Sequence, residues 1–206
     1  MPKGNGSMLT RPMDGKRYVL ASGSPRRREL LGMLDVEFRV DTSRPVDEVV
    51  PPTLPAAEVP AYLSRLKAQP YMAGLEPDEI LITADTVVIL DDRVIGKPKD
   101  ADDARRILRS LAGRTHRVVT GVSIGRPDGS LETFSDTTEV DFDELTDADI
   151  DYYVENYRPL DKAGAYGIQG LASQFIEGID GDYFNVMGLP LCRLGLILKA
   201  LGVKLL

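Results

Sequence analysis

Apolar residues in this chain follow two rhythms that trade places from end to end, every second residue in some stretches and every third or fourth in others. The first rhythm marks strands and the second marks helices, so their alternation predicts a mixed α/β chain. Tyr18, Val19, Leu20 and Ala21 read as a short strand that turns at Ser22-Gly23-Ser24-Pro25 into a helix carrying Glu29, Leu30, Leu31 and Leu34. Residues 37–40 read as a second strand and residues 42–55 as a proline-rich loop carrying Asp47 and Glu48. A second helix is expected over about 56–67, stopped by Pro70, which lacks the N–H a helix interior needs. Residues 80–90 form a β-rich run broken by Ala84-Asp85-Thr86, and Asp91-Asp92 turns it back into residues 93–95. Asp100 caps a helix whose Ala104, Ile107, Leu108 and Leu111 share one face and which Gly113 ends. Pro127-Asp128-Gly129 turns a strand over 117–124 into another over 131–142. Thr146 with Asp149 resembles a capping box opening a helix to about residue 156, and a last helix starts at Pro190 with Leu191, Leu194, Ile197, Leu198 and Leu201 on it.

Composition narrows this picture. With 206 residues, 43% of them hydrophobic, the chain can fill one core of good size, and residues 17–206 read as a single domain with two lobes behind a flexible extension over 1–16. A lone cysteine, Cys192, allows no intramolecular disulfide and no all-cysteine zinc site; it suits a reducing compartment, and its apolar helical setting predicts core packing. No stretch approaches the roughly 20 apolar residues that cross a bilayer, and residues 1–16 lack the apolar centre of a signal peptide, so a cytoplasmic protein without membrane attachment is expected. The formal charge of -7 opposes stable nucleic-acid binding, which relies on a basic surface. His116 is the only histidine and precedes an apolar strand (Val118, Val119, Val122, Ile124); it can complete no His-rich zinc site, and a Ser-His-Asp triad through it is disfavoured.

Chemistry concentrates at a few points. Arg26, Arg27 and Arg28 stand behind the small-residue turn of Ser22, Gly23 and Ser24, at a predicted helix start whose free N–H groups and positive dipole end favour phosphate. The plainer reading is a capped helix with a solvated basic face. Asp85, flanked by Ile82, Val87 and Val88, reads as a partly desolvated carboxylate able to accept a proton from water or to bind a metal; a solvent-facing strand-end aspartate is the alternative. Lys97 sits in a Gly96-Lys97-Pro98 turn and Lys67 near a helix end, and each gains meaning only from company. Cations (Arg26, Arg27, Lys67, Lys97) with carboxylates (Asp47, Glu48, Asp85) are the mixture that phosphoanhydride hydrolysis requires. Neither a Walker A motif nor a Gly-x-Gly-x-x-Gly fingerprint occurs.

The runs Leu20-Ala-Ser-Gly-Ser-Pro-Arg-Arg-Arg-Glu-Leu-Leu31, Val46-Asp-Glu48, Ala84-Asp-Thr-Val-Val88, Gly96-Lys-Pro98, Leu160-Asp-Lys-Ala-Gly-Ala-Tyr-Gly-Ile-Gln-Gly170 and Gly181-Asp-Tyr-Phe-Asn-Val-Met-Gly-Leu-Pro-Leu191 occur in the order of the Maf family, and together they resemble it from about residue 18 to the end. The resemblance implies nucleoside triphosphate pyrophosphatase activity, cleaving between the α and β phosphates, on a mixed β-sheet with flanking helices whose two lobes enclose a cleft, similar to inosine-triphosphate pyrophosphatases. It implies a divalent metal, Mg²⁺ or Mn²⁺, and a homodimer. By the same resemblance Asp85 is the proton acceptor, Glu48 lies near the metal and water, and Arg27, Lys67 and Lys97 belong to the phosphate site, which Ser22 and Ser24 of the small-residue turn are expected to join as substrate-binding residues. Arg26, Thr86 and Gln169 match the subgroup acting on dTTP and UTP, whereas the subgroup acting on 7-methyl-GTP carries Trp, Gln and an acidic residue there. One Gln169 amide can donate to O4 of uracil or thymine while accepting from N3–H, although a flipped amide suits cytosine equally. The 7-methyl-GTP specificity is the alternative within chemistry, and a non-catalytic nucleotide-binding regulator of cell division the alternative outside it. Two departures from the family pattern stand out, the extension and Pro70 close behind Lys67, which makes Lys67 the least secure of these assignments.

Overall fold

The computed structural model describes residues 15–203, so all but the last two residues of the expected extension lie outside the described ones. Within them the chain runs β1 (Arg17–Leu20), α1 (Pro25–Gly32), β2 (Phe38–Val40), α2 (Val59–Met72), β3 (Glu79–Leu90), β4 (Arg93–Ile95), α3 (Ala101–Leu111), β5 (Thr115–Gly125), β6 (Leu131–Phe142), α4 (Asp147–Tyr157), β7 (Ile176–Asp180), α5 (Tyr183–Met187) and α6 (Leu191–Ala200), with short 3₁₀ turns in the connections. The strands join one sheet in the order β2-β1-β3-β5-β6-β7, with β4 on β3. β1 pairs in parallel with both β2 and β3, and the remaining pairs are antiparallel. The result is the expected mixed sheet flanked by helices.

The pleat of β3 divides the core. Leu81 packs with Ala68 and Tyr71 of α2, and Val87 and Ile89 with Val59 and Leu63 of the same helix. The alternate residues Ile80, Ile82 and Ala84 join a cluster with Leu30 and Leu31 of α1 and Leu194 and Leu198 of α6, while Val88 and Leu90 join one with Leu108 of α3 and Tyr153 of α4. Successive side chains on a strand point to opposite faces, so one twelve-residue run holds helices on both.

Four expectations need correction. β3 is not broken at Ala84-Asp85-Thr86 but continuous, because β5 pairs with it through Asp85↔Gly121 and Thr86↔Thr120 and satisfies the backbone there. α2 is not stopped by Pro70 but runs on to Met72: Tyr71 is buried beside Val19 and Leu81, and its hydroxyl donates to the Asp41 carbonyl at 3.1 Å, which holds the last turn in place. Cys192 is exposed, since α6 buries Leu191, Leu194 and Leu198 and the next position faces away from that stripe. β7 and the five-residue α5 were not expected at all; each is shorter than a periodic signal needs.

Several turns do form as read. Asp91 and Asp92 take left-handed φ values of 49° and 57°, the geometry of a tight hairpin between β3 and β4. Thr146 and Asp149 exchange the two bonds of a capping box at the start of α4.

A cleft where the sheet loses a neighbour

On its β1 side, β3 is paired only at its two ends. β1 covers Glu79 to Ile82 and β4 covers Val88 to Leu90, so the edge between them lacks a strand partner on that side. A cleft of about 870 Å³ opens there, within the range that holds a nucleotide-sized ligand. Adjacent strand residues face opposite ways, so Asp85 and Thr86 present side chains on the two sides of the strand at the middle of this opening.

The structure brings the sequence candidates to that cleft. Ser22, Ser24, Arg26, Arg27, Glu48, Lys67, Asp85, Thr86, Lys97 and Gln169 all line it; Asp47 is exposed and does not. They arrive from six places: the turn into α1, the loop before α2, α2 itself, the middle of β3, the loop after β4, and the irregular segment between α4 and β7. Local physics accounts for the first. Ser24 has extended backbone and its hydroxyl caps α1 by accepting from Arg27 N–H, Pro25 supplies a fixed φ for the first helical position, and the first turn is thereby set under Arg26 and Arg27.

At the opposite wall, Lys67 of α2 reaches across to β3. Its Nζ lies 2.7 Å from Asp85 Oδ1 and 3.1 Å from Glu48 Oε2. Asp85 and Lys67 are largely shielded, with side chains 14% and 21% exposed, whereas Glu48 at 48% is open to solvent. Asp85 is therefore not left bare by its apolar flanks. The helix continuing past Pro70 is what keeps Lys67 on a rigid turn within reach.

Arg27 is held differently. Nε donates to the Gly188 carbonyl at 2.9 Å, Nη2 to the Thr86 hydroxyl at 2.9 Å, and Nη1 makes a long 3.4 Å contact with the Ser22 hydroxyl. Gly188 sits at a left-handed φ of 117°, open to glycine, and so turns its chain sharply after α5. All three partners are neutral. Burial lowers the guanidinium pKa below its ordinary value and the field of Asp85 draws it back up, so a charge without a carboxylate in contact faces the cleft.

The cleft is locally cationic although the chain is not. Arg26, Arg27, Arg44, Lys67, Lys97 and Lys162 outnumber Glu48, Asp85 and Asp161 along its wall, against a formal -7 for the whole sequence. Arg44 and Lys162 were missed by sequence reasoning. Lys162 lies inside a motif already quoted, beside Asp161 at 2.6 Å, while Arg44 sits in an irregular loop with no pattern to mark it. Such a wall suits a polyanion.

Among the described residues no group of three or more His, Cys, Asp or Glu side chains could hold a metal ion. Two carboxylates do converge on one cation at Lys67 Nζ. That fits Mg²⁺ or Mn²⁺ bound together with a substrate, because Mg²⁺ typically takes one or two carboxylates and completes its shell with phosphate oxygens and water.

Residues 17–201 match the family model described as Maf-like protein. The chain is 50% identical over 186 residues, 90% of this chain and 96% of the relative, to a dTTP/UTP pyrophosphatase of Phocaeicola vulgatus. It is 47% identical over 192 residues to one of Porphyromonas gingivalis, covering 91% and 96%, and 45% identical over 179 residues to one of Bacillus cytotoxicus, covering 87% and 92%. Among solved structures, the Staphylococcus aureus Ham1 protein aligns with a TM-score of 0.45 at 17% identity, over 62% of this chain and 72% of that one.

Proposed function

The chain belongs to the Maf-like family, and from that premise and the cleft we infer that it hydrolyses dTTP and UTP to the nucleoside monophosphate and pyrophosphate. The observation that carries the chemistry is Lys67 held between Asp85 and Glu48, opposite an Arg27 that has no carboxylate in contact. A triphosphate laid between them meets cations on both walls.

Water attacks the α-phosphorus, the bond to the α–β bridging oxygen breaks, and pyrophosphate leaves with that oxygen. Asp85 takes the water's proton; its carboxylate is fixed by Lys67, so the accepting oxygen is already oriented. Lys67 has a third N–H to give to a phosphate oxygen. Arg27 binds phosphate without reading the base, and Ser22, Ser24, Arg26 and Lys97 line the same path. Glu48 and Asp85 would hold a divalent cation, Mg²⁺ or Mn²⁺, which when bound supplies positive charge against the phosphate oxygens. Arg26, Thr86 and Gln169 together distinguish dTTP and UTP from 7-methyl-GTP, whose cationic ring would gain nothing from Arg26. By family resemblance the reading extends to a cytoplasmic homodimer. No helix among the described residues is long and apolar enough to cross a membrane.

The test is pyrophosphate release from a panel of nucleoside triphosphates with Mg²⁺ or Mn²⁺, repeated in ¹⁸O-water with the products read by phosphorus NMR. dTTP and UTP are expected to turn over fastest, with the label in the monophosphate. Label in pyrophosphate, or a clear preference for 7-methyl-GTP, overturns the reading.

A further inference from the structure

Thr120 lies in the middle of β5, directly across from Thr86, and is wholly buried. A threonine hydroxyl has one proton, and here it is committed: it goes to the Asn185 carbonyl at 3.0 Å, an acceptor that cannot give one back. The 2.9 Å contact between the Thr86 and Thr120 hydroxyls therefore runs one way, with Thr86 donating. Thr86 is left with lone pairs only, and one of them receives Nη2–H of Arg27 at 2.9 Å. The direction is fixed along the whole chain, from Arg27 to Thr86 to Thr120 to the Asn185 carbonyl. Its far end is rigid. The Asn185 amide donates to the Val118 carbonyl and to the Thr138 hydroxyl, each at 3.0 Å, and Asn185 lies in α5, three residues before the Gly188 carbonyl that holds the other side of the Arg27 guanidinium.

We propose that Thr120 is a positioning residue for the hydrolysis: by taking the Thr86 proton it makes Thr86 a pure acceptor for Arg27 and so sets the angle at which the guanidinium meets phosphate. This rests on the reading of Arg27 as a phosphate-binding cation. While the chain is intact Thr86 cannot donate to O2 or O4 of a pyrimidine, and all it can offer a base is its remaining lone pair, as to N3–H. Each link has one orientation, and each partner is more than 30 residues away in sequence from the next.

The experiment compares the parent with Thr120→Val, Thr120→Ser, Thr86→Val and the double Val variant, by steady-state kinetics on dTTP and UTP and by calorimetry with inorganic tripolyphosphate, which has no base. Thr120→Val should raise KM for dTTP and UTP alike by about three- to tenfold, the worth of one hydrogen bond, and weaken tripolyphosphate by the same factor. Thr120→Ser, which retains donor and acceptor, should restore both. The double variant should be no worse than Thr86→Val, because both changes cut one chain. Additive losses, a serine variant as damaged as the valine one, or tripolyphosphate affinity indifferent to Thr120 overturns the positioning role. Should Thr120→Val not fold, Thr120→Ala takes its place with the same outcomes. A parent that turns over no nucleoside triphosphate defeats the proposed function yet leaves the tripolyphosphate arm to judge Thr120, and a parent that binds no tripolyphosphate defeats the reading of Arg27 and this proposal with it.

Discussion

Asp85 and Arg27 are both partly shielded and both charged, yet they are handled in opposite ways. Asp85 has a cation at 2.7 Å, while Arg27 has only neutral oxygens, so one is a settled carboxylate and the other a charge awaiting an anion. Asp85→Asn keeps the shape and is expected to lower turnover by about 10² to 10⁴ at saturating dTTP with the circular dichroism spectrum unchanged. Turnover near that of the parent would remove Asp85 from the role of proton acceptor, and recovery at high Mg²⁺ would leave it the metal-binding role alone. Arg27→Ala is expected to raise KM for every nucleoside triphosphate by a similar factor, about ten- to a hundredfold, since a charge-assisted bond to phosphate carries no base information. A change confined to one base would make Arg27 a base reader. Most of the residues meeting at the cleft were readable because they sit in short, distinctive runs, whereas Arg44 and Lys67 do not. Thr120 was not readable: a threonine in an alternating strand looks like any other, and its importance comes from partners 34 and 65 residues away.

Elements place these side chains, and the decisive one is the contact of α2 with the sheet. Ser64 of α2 accepts from Thr83 through its carbonyl at 2.7 Å, and its hydroxyl meets that of Ser123 at 2.8 Å, so small polar residues let the helix lie close. Gly121 marks the closest approach: a Cβ there would run into the backbone of Pro60 and Ala61. Gly121→Ala should therefore lift the first turns of α2 from β5, cost roughly 1 to 3 kcal/mol or more in a denaturant titration, and weaken activity by moving Lys67. An alanine variant as stable and active as the parent would mean that the helix has slack and that its seat does not govern the lysine. At this scale the sequence misled where tertiary contacts outweigh local preference. Pro70 forfeits one helical bond but Tyr71 is anchored on both its ring and its hydroxyl, and Asp85 and Thr86 look like a break in β3 only until the pairing with β5 is seen. The long amphipathic stripe of α3 and the capping box of α4 needed no such help, so they were readable from spacing alone.

The whole molecule stakes its integrity on a histidine under the cleft wall. His116 is 2% exposed; its Nε2 shares a 2.7 Å hydrogen bond with the Tyr166 hydroxyl, its ring meets Phe142 and Tyr166 edge to face, and its Nδ1 is buried with no partner. Tyr166 in turn lines the cleft, so this aromatic cluster ties the antiparallel half of the sheet to the substrate wall. Burial holds the His116 pKa down to about 4 from 6.5, against a weaker upward pull from Asp141, because charging the ring would add a second buried N–H donor with nothing to receive it. The sign follows directly. Between these two values the unfolded chain binds the proton and the folded one does not, so stability is full above about pH 6.5 and drains away as pH falls towards 4. Between pH 7 and pH 5 the loss should be about 2 kcal/mol. Asp41, held at about 2 chiefly by hydrogen bonds from Ser43, gives up its share only below 3.8, so the two windows do not overlap. Thermal unfolding of the parent should show Tm dropping through pH 6 to 5, whereas His116→Gln, neutral at both ends and able to bond the Tyr166 hydroxyl, should flatten that slope even if it lowers Tm at pH 7. An equally steep slope in the glutamine variant would assign the acid sensitivity to another group and leave His116 a packing residue only.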